Sequence, residues 1–375
     1  PFPGIPIFFL IMGLVFKLTF VFSSPISEFI DRIFSEFLPS FVLTNFSFLP
    51  KSIVSLINDG ILAGVGSVIV FLPVLGVLYL LMSVLEDTGY MARAAALWDN
   101  FMRIFGLSGA SVIPIILGFG CNVPAIYATK AMRSSSQRLI TMLIIPWISC
   151  GARLPVYLLL TSLFFKEYQT LVILTLYAVG ISLALLLAFI LSHFLDKTKD
   201  DFFIELPRYK FPSWNVVFNQ TFLEVKDFVY KAGTIIFAIS VFIWALASLP
   251  TTESYAGENT LIGHVGKMLL PLFQPIGIED WKLIVALIFG AVAKEVIVGT
   301  LGTLYSGEAL KYVLSPEAAL AYLFFVLLYI PCAATIAAIK QESGSWRWVI
   351  FSVVLELIVA YLVAFTVYRV AKVIF

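Results

Sequence analysis

Cys121, Cys150, Cys332, Glu295 and Asn122 are the residues of this chain whose types could hold a divalent metal ion. Thiolates mixed with oxygen donors suit a borderline-soft ion, and a site that must pass its ion on has to be loose enough to release it. Their placement points the same way. Cys121 and Asn122 lie in the stretch P-I-I-L-G-F-G-C-N-V-P-A-I-Y-A-T from Pro114 to Thr129, which is apolar enough to enter a bilayer. Pro114, Gly118, Gly120 and Pro124 loosen a helix there, where hydrocarbon offers no replacement hydrogen bonds. Cys150 stands between Pro146 and Pro155 beside Gly151, and Cys332 directly follows Pro331. Backbone opened at membrane depth is tolerated only where it is buried in protein or lines a wet cavity, so the breaks read as a transport site. Taken singly, each cysteine can also be a small buried hydrophobe in a tight helix contact.

The charged residues inside apolar runs add to this. Glu295 is costly in such a run and is a functional-site candidate for that reason. Lys294 can be its partner, although adjacent helical residues point about 100° apart and another acid can pair with the lysine equally well. Arg153 and Glu356 can pair with each other or with backbone carbonyls. Glu86 and Asp87 read as a helix-end turn, and His193 and His264 are too isolated to make a metal pair. No H-E-x-x-H, G-x-S-x-G or G-x-x-x-x-G-K-[ST] pattern occurs, so an enzyme is not expected.

The elements that carry these residues follow from composition. With 61% hydrophobic and 13% charged residues and a mean hydropathy of +1.01, the chain cannot present the surface of a soluble globule. An all-α polytopic membrane protein is expected. A net charge of +1 gives no electrostatic case for nucleic acid, and three distant cysteines without C-x-x-C read as free thiols. The opening P-F-P-G-I-P has no Met or charged leader, so an upstream part is expected to have been removed.

Residues 1–59 are expected to hold a first span over Ile5–Phe22 and an extracytoplasmic interfacial helix over Ile26–Phe37. Residues 60–195 form a first repeat: a span, an amphipathic helix ending at Gly106, a hairpin over Ser111–Thr129, a discontinuous helix over Leu139–Phe165 and a plain span. Arg93 and Arg103 precede that hairpin while Lys130, Arg133 and Arg138 follow it, so by the positive-inside rule both its ends are cytoplasmic and it is re-entrant. Residues 196–231 read as a cytoplasmic connection. Residues 232–375 repeat the order, with an amphipathic piece ending at Gly277, a hairpin around Gly290 and a discontinuous helix over Ala318–Ile339. The halves start on opposite sides, which predicts inverted repeats around a midplane site. This topology leaves Arg369 and Lys372 on the outer face. If the second hairpin crosses instead, the C-terminus is cytoplasmic.

The runs L-E-D-T-G-Y-M-A-R-A-A, L-G-F-G-C-N-V-P-A-I, P-W-I-S-C-G-A-R-L-P-V-Y, A-K-E-V-I-V-G-T-L-G-T-L-Y and I-P-C-A-A-T-I-A-A resemble, in order, the membrane domain of the prokaryotic ferrous-iron transporter family FeoB. The resemblance implies Fe2+ as transported substrate across the bacterial cytoplasmic membrane, and two gates like those of nucleoside transporters. It also implies control by an N-terminal GTP-binding domain absent from this chain, and small cytoplasmic accessory proteins. Carried over, the first gate falls on Gly118–Pro124 with Cys150, and the second on Gly290–Thr300 with Cys332. Gly118, Gly120, Pro124, Lys294 and Arg153 are then gating or structural residues, and Cys121, Asn122, Cys150, Cys332 and Glu295 line the metal route. An organic-solute transporter of nucleoside type is the alternative, for which more Asn and Gln would be expected in the gates. A receptor or scaffold would instead have unbroken helices.

Overall fold

The computed structural model describes residues 4–45, 50–195, 208–249, 257–305 and 309–374, and the described secondary structure is helical. In chain order the α-helices are α1 Gly4–Arg32, α2 Leu38–Asn45, α3 Lys51–Ser55, α4 Ala63–Asp87 and α5 Tyr90–Ile104. The first gate region and its neighbours follow as α6 Val112–Gly120, α7 Asn122–Ala128, α8 Ser135–Ile144, α9 Leu154–Phe164 and α10 Gln169–Leu195. Then come α11 Trp214–Phe228, α12 Thr234–Ser248, α13 Leu261–Phe273, α14 Trp281–Val292 and α15 Val296–Leu304. The last are α16 Leu310–Val313, α17 Pro316–Leu328, α18 Ala333–Ser343 and α19 Trp346–Ile374.

Among the described residues six continuous helical stretches are long and apolar enough to cross a membrane, and the chain is a multi-pass membrane protein. The α1 stripe shows why these helices sit where they do. Phe8, Met12, Val15, Thr19 and Ser23 recur at helical spacing and are buried, while Phe9, Leu10 and Phe22 on the other faces are exposed. Outward apolar surface of that extent suits lipid rather than water. Thr19 stays satisfied in the packed stripe by donating to the Val15 carbonyl at 2.8 Å.

At the centre, α17 is buried on nearly every side and packs along α19. Its start is well specified: Ser315 caps it by accepting from the Ala318 N–H at 3.3 Å, Pro316 occupies the first turn, and Glu317 follows. It ends at Leu328 with Tyr329 already extended, two residues ahead of Pro331, which has no N–H to continue the helix and disfavours helical backbone at Ile330. Gly106 and Gly277, at φ +73° and +85°, close the two amphipathic helices in the left-handed conformation that glycine alone adopts cheaply.

One expectation needs correction. Ile26–Phe37 is not a separate interfacial helix: α1 runs through Pro25 and a π-turn at Ile33–Phe37 into α2, making one apolar stretch over Gly4–Thr44. The charged residues Glu28, Asp31, Arg32 and Glu36 stay exposed on this stretch, Asp31 bordering a cavity. Within the expected connection over 196–231, residues 214–231 are helical, and α11 continues through a π-turn at Val229–Gly233 into α12. Residues 196–207, and most of the polar loop expected after Leu249, lie outside the described residues.

Candidate functional site

Each expected break is a short extended step between two helices. Cys121 ends α6 and precedes α7, at φ −151° and ψ 133°. Ala293 ends α14 at φ −146° and ψ 128°, with Lys294 and Glu295 between it and α15. The two hairpin tips therefore share one backbone conformation, with alanine in the second where the first carries a thiol. Cys150, at φ −81° and ψ 163°, precedes a 3-10 turn leading into α9, and Cys332, at φ −62° and ψ 153°, precedes α18. Helical N-termini thus open next to all three cysteines, where free N–H groups favour negative charge such as a thiolate.

Pro114 and Pro124 act differently from their sequence reading. Pro124 is the third residue of α7, just after the extended Cys121, where a missing N–H costs nothing, and Pro114 lies within the helical run that the 3-10 turn Gly109–Ser111 opens, which continues through it to Gly120. The break between them belongs to Cys121. Gly120 is fixed by packing, since a Cβ there would lie 2.6 Å from Leu78 Cδ2. Gly118 is less constrained: a Cβ would meet Asn122 Oδ1 and Ile148 at an ordinary 3.7 Å.

The donors are neighbours without forming a cage. Gly120, Gly151 and Glu295 border one cavity, and a Cβ on Gly151 would lie 3.4 Å from the Gly120 carbonyl oxygen, so the chain beside Cys121, the chain beside Cys150 and Glu295 meet there. Among the described residues no three His, Cys, Asp or Glu side chains converge closely enough to hold a metal ion together. Asn122 is 5% exposed and its Oδ1 has no hydrogen-bond partner, an orphaned acceptor at the hairpin tip that costs about 1–3 kcal/mol unless something occupies it. Cys332 Sγ is 3.0 Å from Thr335 Oγ1. Glu295 borders a cavity of about 920 Å3, together with Asp31, Asp59, Gly120, Gly151 and Ala152. Pro114, Leu117 and Pro124 border a second cavity of about 580 Å3, so the first hairpin has a cavity on either side.

The buried cations brace the breaks. Arg153, 1% exposed, donates from Nη1 to the Ile148 carbonyl at 3.1 Å and from Nη2 to the Pro146 carbonyl at 3.2 Å. Of the open alternatives for Arg153, backbone carbonyls are what its hydrogen bonds engage. Those carbonyls lie in the interrupted stretch of the discontinuous helix and need donors from outside a regular ladder. Lys294 donates to the Ile330 carbonyl at 2.5 Å and its Nζ lies 3.3 Å from the centre of the Tyr329 ring. That ties the second hairpin to the break before Cys332, and Lys294 is directed there instead of toward Glu295. Glu356 accepts from Ser352 at 2.7 Å, and its Oε2 has no hydrogen-bond partner. His193 and His264 take no part in this region, His264 Nδ1 lying 2.8 Å from the Thr260 carbonyl.

Sequence reasoning missed Ala293, because alanine carries no chemical signal and only its backbone angles mark it. It also missed Tyr79, Asp31 and Asp59, which line cavities from helices that read as an ordinary span or an interfacial segment.

A family model described as "Gate: Nucleoside recognition" matches residues 68–164 and 229–346, and one described as "Ferrous iron transport protein B C terminus" matches residues 173–223. The chain is 43% identical to the Fe(2+) transporter FeoB of Methanocaldococcus jannaschii, over 97% of its own length and 56% of that protein's. It is also 43% identical to a Staphylococcus aureus protein of the same name, over 98% and 57%. A Porphyromonas gingivalis protein named Fe(2+) transport protein A/Fe(2+) transporter FeoB fusion protein is 39% identical, over 98% and 50%. The chain spans about half the length of the curated relatives it matches. No solved structure matches it.

Proposed function

Because the chain belongs to the Gate family, in the branch of the FeoB transporters, we propose that it is the part of such a transporter that conducts ferrous iron across the bacterial cytoplasmic membrane. The observation that carries this reading is that Cys121, Cys150, Cys332 and Glu295 all stand at helix breaks, with Glu295 and the glycines beside Cys121 and Cys150 bordering one cavity and the orphaned Asn122 oxygen next to Cys121. Donors that are close but do not converge suit an ion handed on in steps, since a closed cage would retain it. Fe2+ enters by the cavity that Glu295 borders, meets thiols in turn at the two hairpins, and leaves on the other side.

The reading includes two inverted halves. The shared backbone of Cys121 and Ala293, the paired glycine caps Gly106 and Gly277, and a family match in two separate blocks all support it. In this proposal a GTP-binding domain acts on the membrane part from elsewhere in the full protein. The name of the Porphyromonas gingivalis relative supports a small accessory protein as a partner.

Anaerobic Fe2+ uptake into proteoliposomes tests the reading. Uptake is expected with the wild type, and a loss is expected when Cys121, Cys150 and Cys332 are all replaced by Ala. Unchanged uptake in that variant removes the thiolate role. The printed description "Nucleoside recognition" favours a second reading, transport of an organic solute of nucleoside type. Uptake of radiolabelled nucleoside without Fe2+ uptake would select it.

A further inference from the structure

The 580 Å3 cavity contains a set of oxygen donors that the thiol route does not use. Glu86, at the end of α4, and Glu224 and Asp227, on α11, line it with Gln220, Ser83 and Tyr79. Gln220 Nε2 donates to Glu86 Oε2 and to Glu224 Oε1, each at 3.3 Å, while its own Oε1 accepts from Ser83 at 3.3 Å. One amide thus holds two carboxylates side by side across the α4–α11 contact, where like charges would otherwise repel. Burial pushes the Glu224 carboxyl up to about 6, with Gln220 opposing and Glu86 adding to the rise, so it is largely ionised near neutral pH.

Tyr79 points to what the cavity takes. Its side chain is 6% exposed, lines the cavity, and makes no hydrogen bond among the described residues. A phenol on the cavity wall that no side chain of the protein engages is placed to meet something that enters. Tyr79 shares this cavity with Leu117 and Pro124 of the first gate region and with Glu224 and Asp227, so the gate region and the carboxylates face one space.

We propose that Glu86, Glu224 and Asp227, with Gln220 and Tyr79, form a second station for a hydrated divalent cation, between Cys121 and the face where the first hairpin begins and ends. This rests on the transport reading above. The carboxylates do not converge on a point, so the ion keeps its water shell and is held through it. Hard oxygen donors then receive an ion from soft thiols, and the held ion can leave quickly.

The probe is Mn2+, which prefers oxygen donors, titrated onto the full chain and read by electron paramagnetic resonance. A weak Mn2+ class is expected in the wild type and in the Cys121→Ala, Cys150→Ala, Cys332→Ala triple variant. It should weaken about tenfold in the Glu224→Gln, Asp227→Asn double variant, the loss of roughly one charge-assisted contact. Tyr79→Phe keeps shape and charge, guards against a folding artefact, and should weaken binding in the same direction. Unchanged binding in both the carboxylate variant and Tyr79→Phe overturns the proposal, as does the absence of the class in the wild type or its loss with the thiols alone. Because the readout is binding, a wild type that fails to take up Fe2+ defeats the transport reading by a separate result.

Discussion

The Tyr305 hydroxyl donates to Asp280 Oδ2 at 2.6 Å, fastening the end of α15 to the start of α14. Asp280 also caps α14 by accepting from the Lys282 N–H at 3.0 Å, so one carboxylate both starts the helix and receives the returning chain. The segment that enters at Trp281 therefore comes back to its own beginning. Tyr305→Phe should lower stability by about 1–2 kcal/mol, the value of a hydrogen bond to a charged acceptor at a part-buried site. A thermal melt in detergent checks this, and an unchanged midpoint would mean the ends are held by packing alone.

Glycines in the second hairpin should divide sharply. A Cβ on Gly290 would collide with Ile297 and with the Tyr329 hydroxyl, so it is the absence of a side chain that lets α14 and α15 lie together. Gly290→Ala should cost about 1–3 kcal/mol as an overpacked contact. Gly299 and Gly302 have nothing within 4 Å of such a Cβ, and alanine at either should be neutral or slightly stabilising. Melts of the three variants side by side measure the contrast.

Much of this architecture was legible from proline and glycine. Pro331 marked the break before Cys332, and Gly106 and Gly277 marked the ends of the amphipathic helices, because those residues restrict or extend backbone freedom in any context. The charged face of Ile26–Phe37 misled, since helical periodicity reports that one face is polar but not whether water or an internal cavity lies against it. The same limit applies to α11, whose polar residues line a cavity. Convergence of donors is a tertiary fact: nothing in the spacing of Cys121, Cys150, Cys332 and Glu295 states that they are neighbours.

Asn122 separates function from stability. Its buried Oδ1 has no partner, so Asn122→Ala relieves a desolvation cost and should keep or slightly raise the melting temperature. Fe2+ uptake should fall about tenfold, the loss of one ligand contact. Paired uptake and melting measurements decide the matter; a large loss of stability would make Asn122 a packing residue.

A pH effect is expected at the entrance to α13. Lys267 donates to Glu258 at 2.5 Å, and this hydrogen bond with the lysine's charge holds the Glu258 carboxyl below the ordinary glutamate range. A carboxyl lowered in the folded state stabilises it above the unfolded value, and that contribution disappears as pH falls through the folded value. Contact between 258 and 267 should therefore persist at neutral pH and be lost only as pH falls below the ordinary glutamate range. Carboxyl titration by NMR checks it, with Lys267→Met expected to return Glu258 toward about 4.3.

The account rests on iron meeting sulfur inside the membrane, and X-ray absorption at the iron edge of the full chain loaded with Fe2+ under anaerobic conditions measures that most directly. A sulfur shell at about 2.3 Å, the usual metal–thiolate distance, is predicted, together with its disappearance when Cys121, Cys150 and Cys332 are all replaced by Ser. An oxygen and nitrogen shell alone, identical in wild type and triple variant while uptake continues, would contradict it.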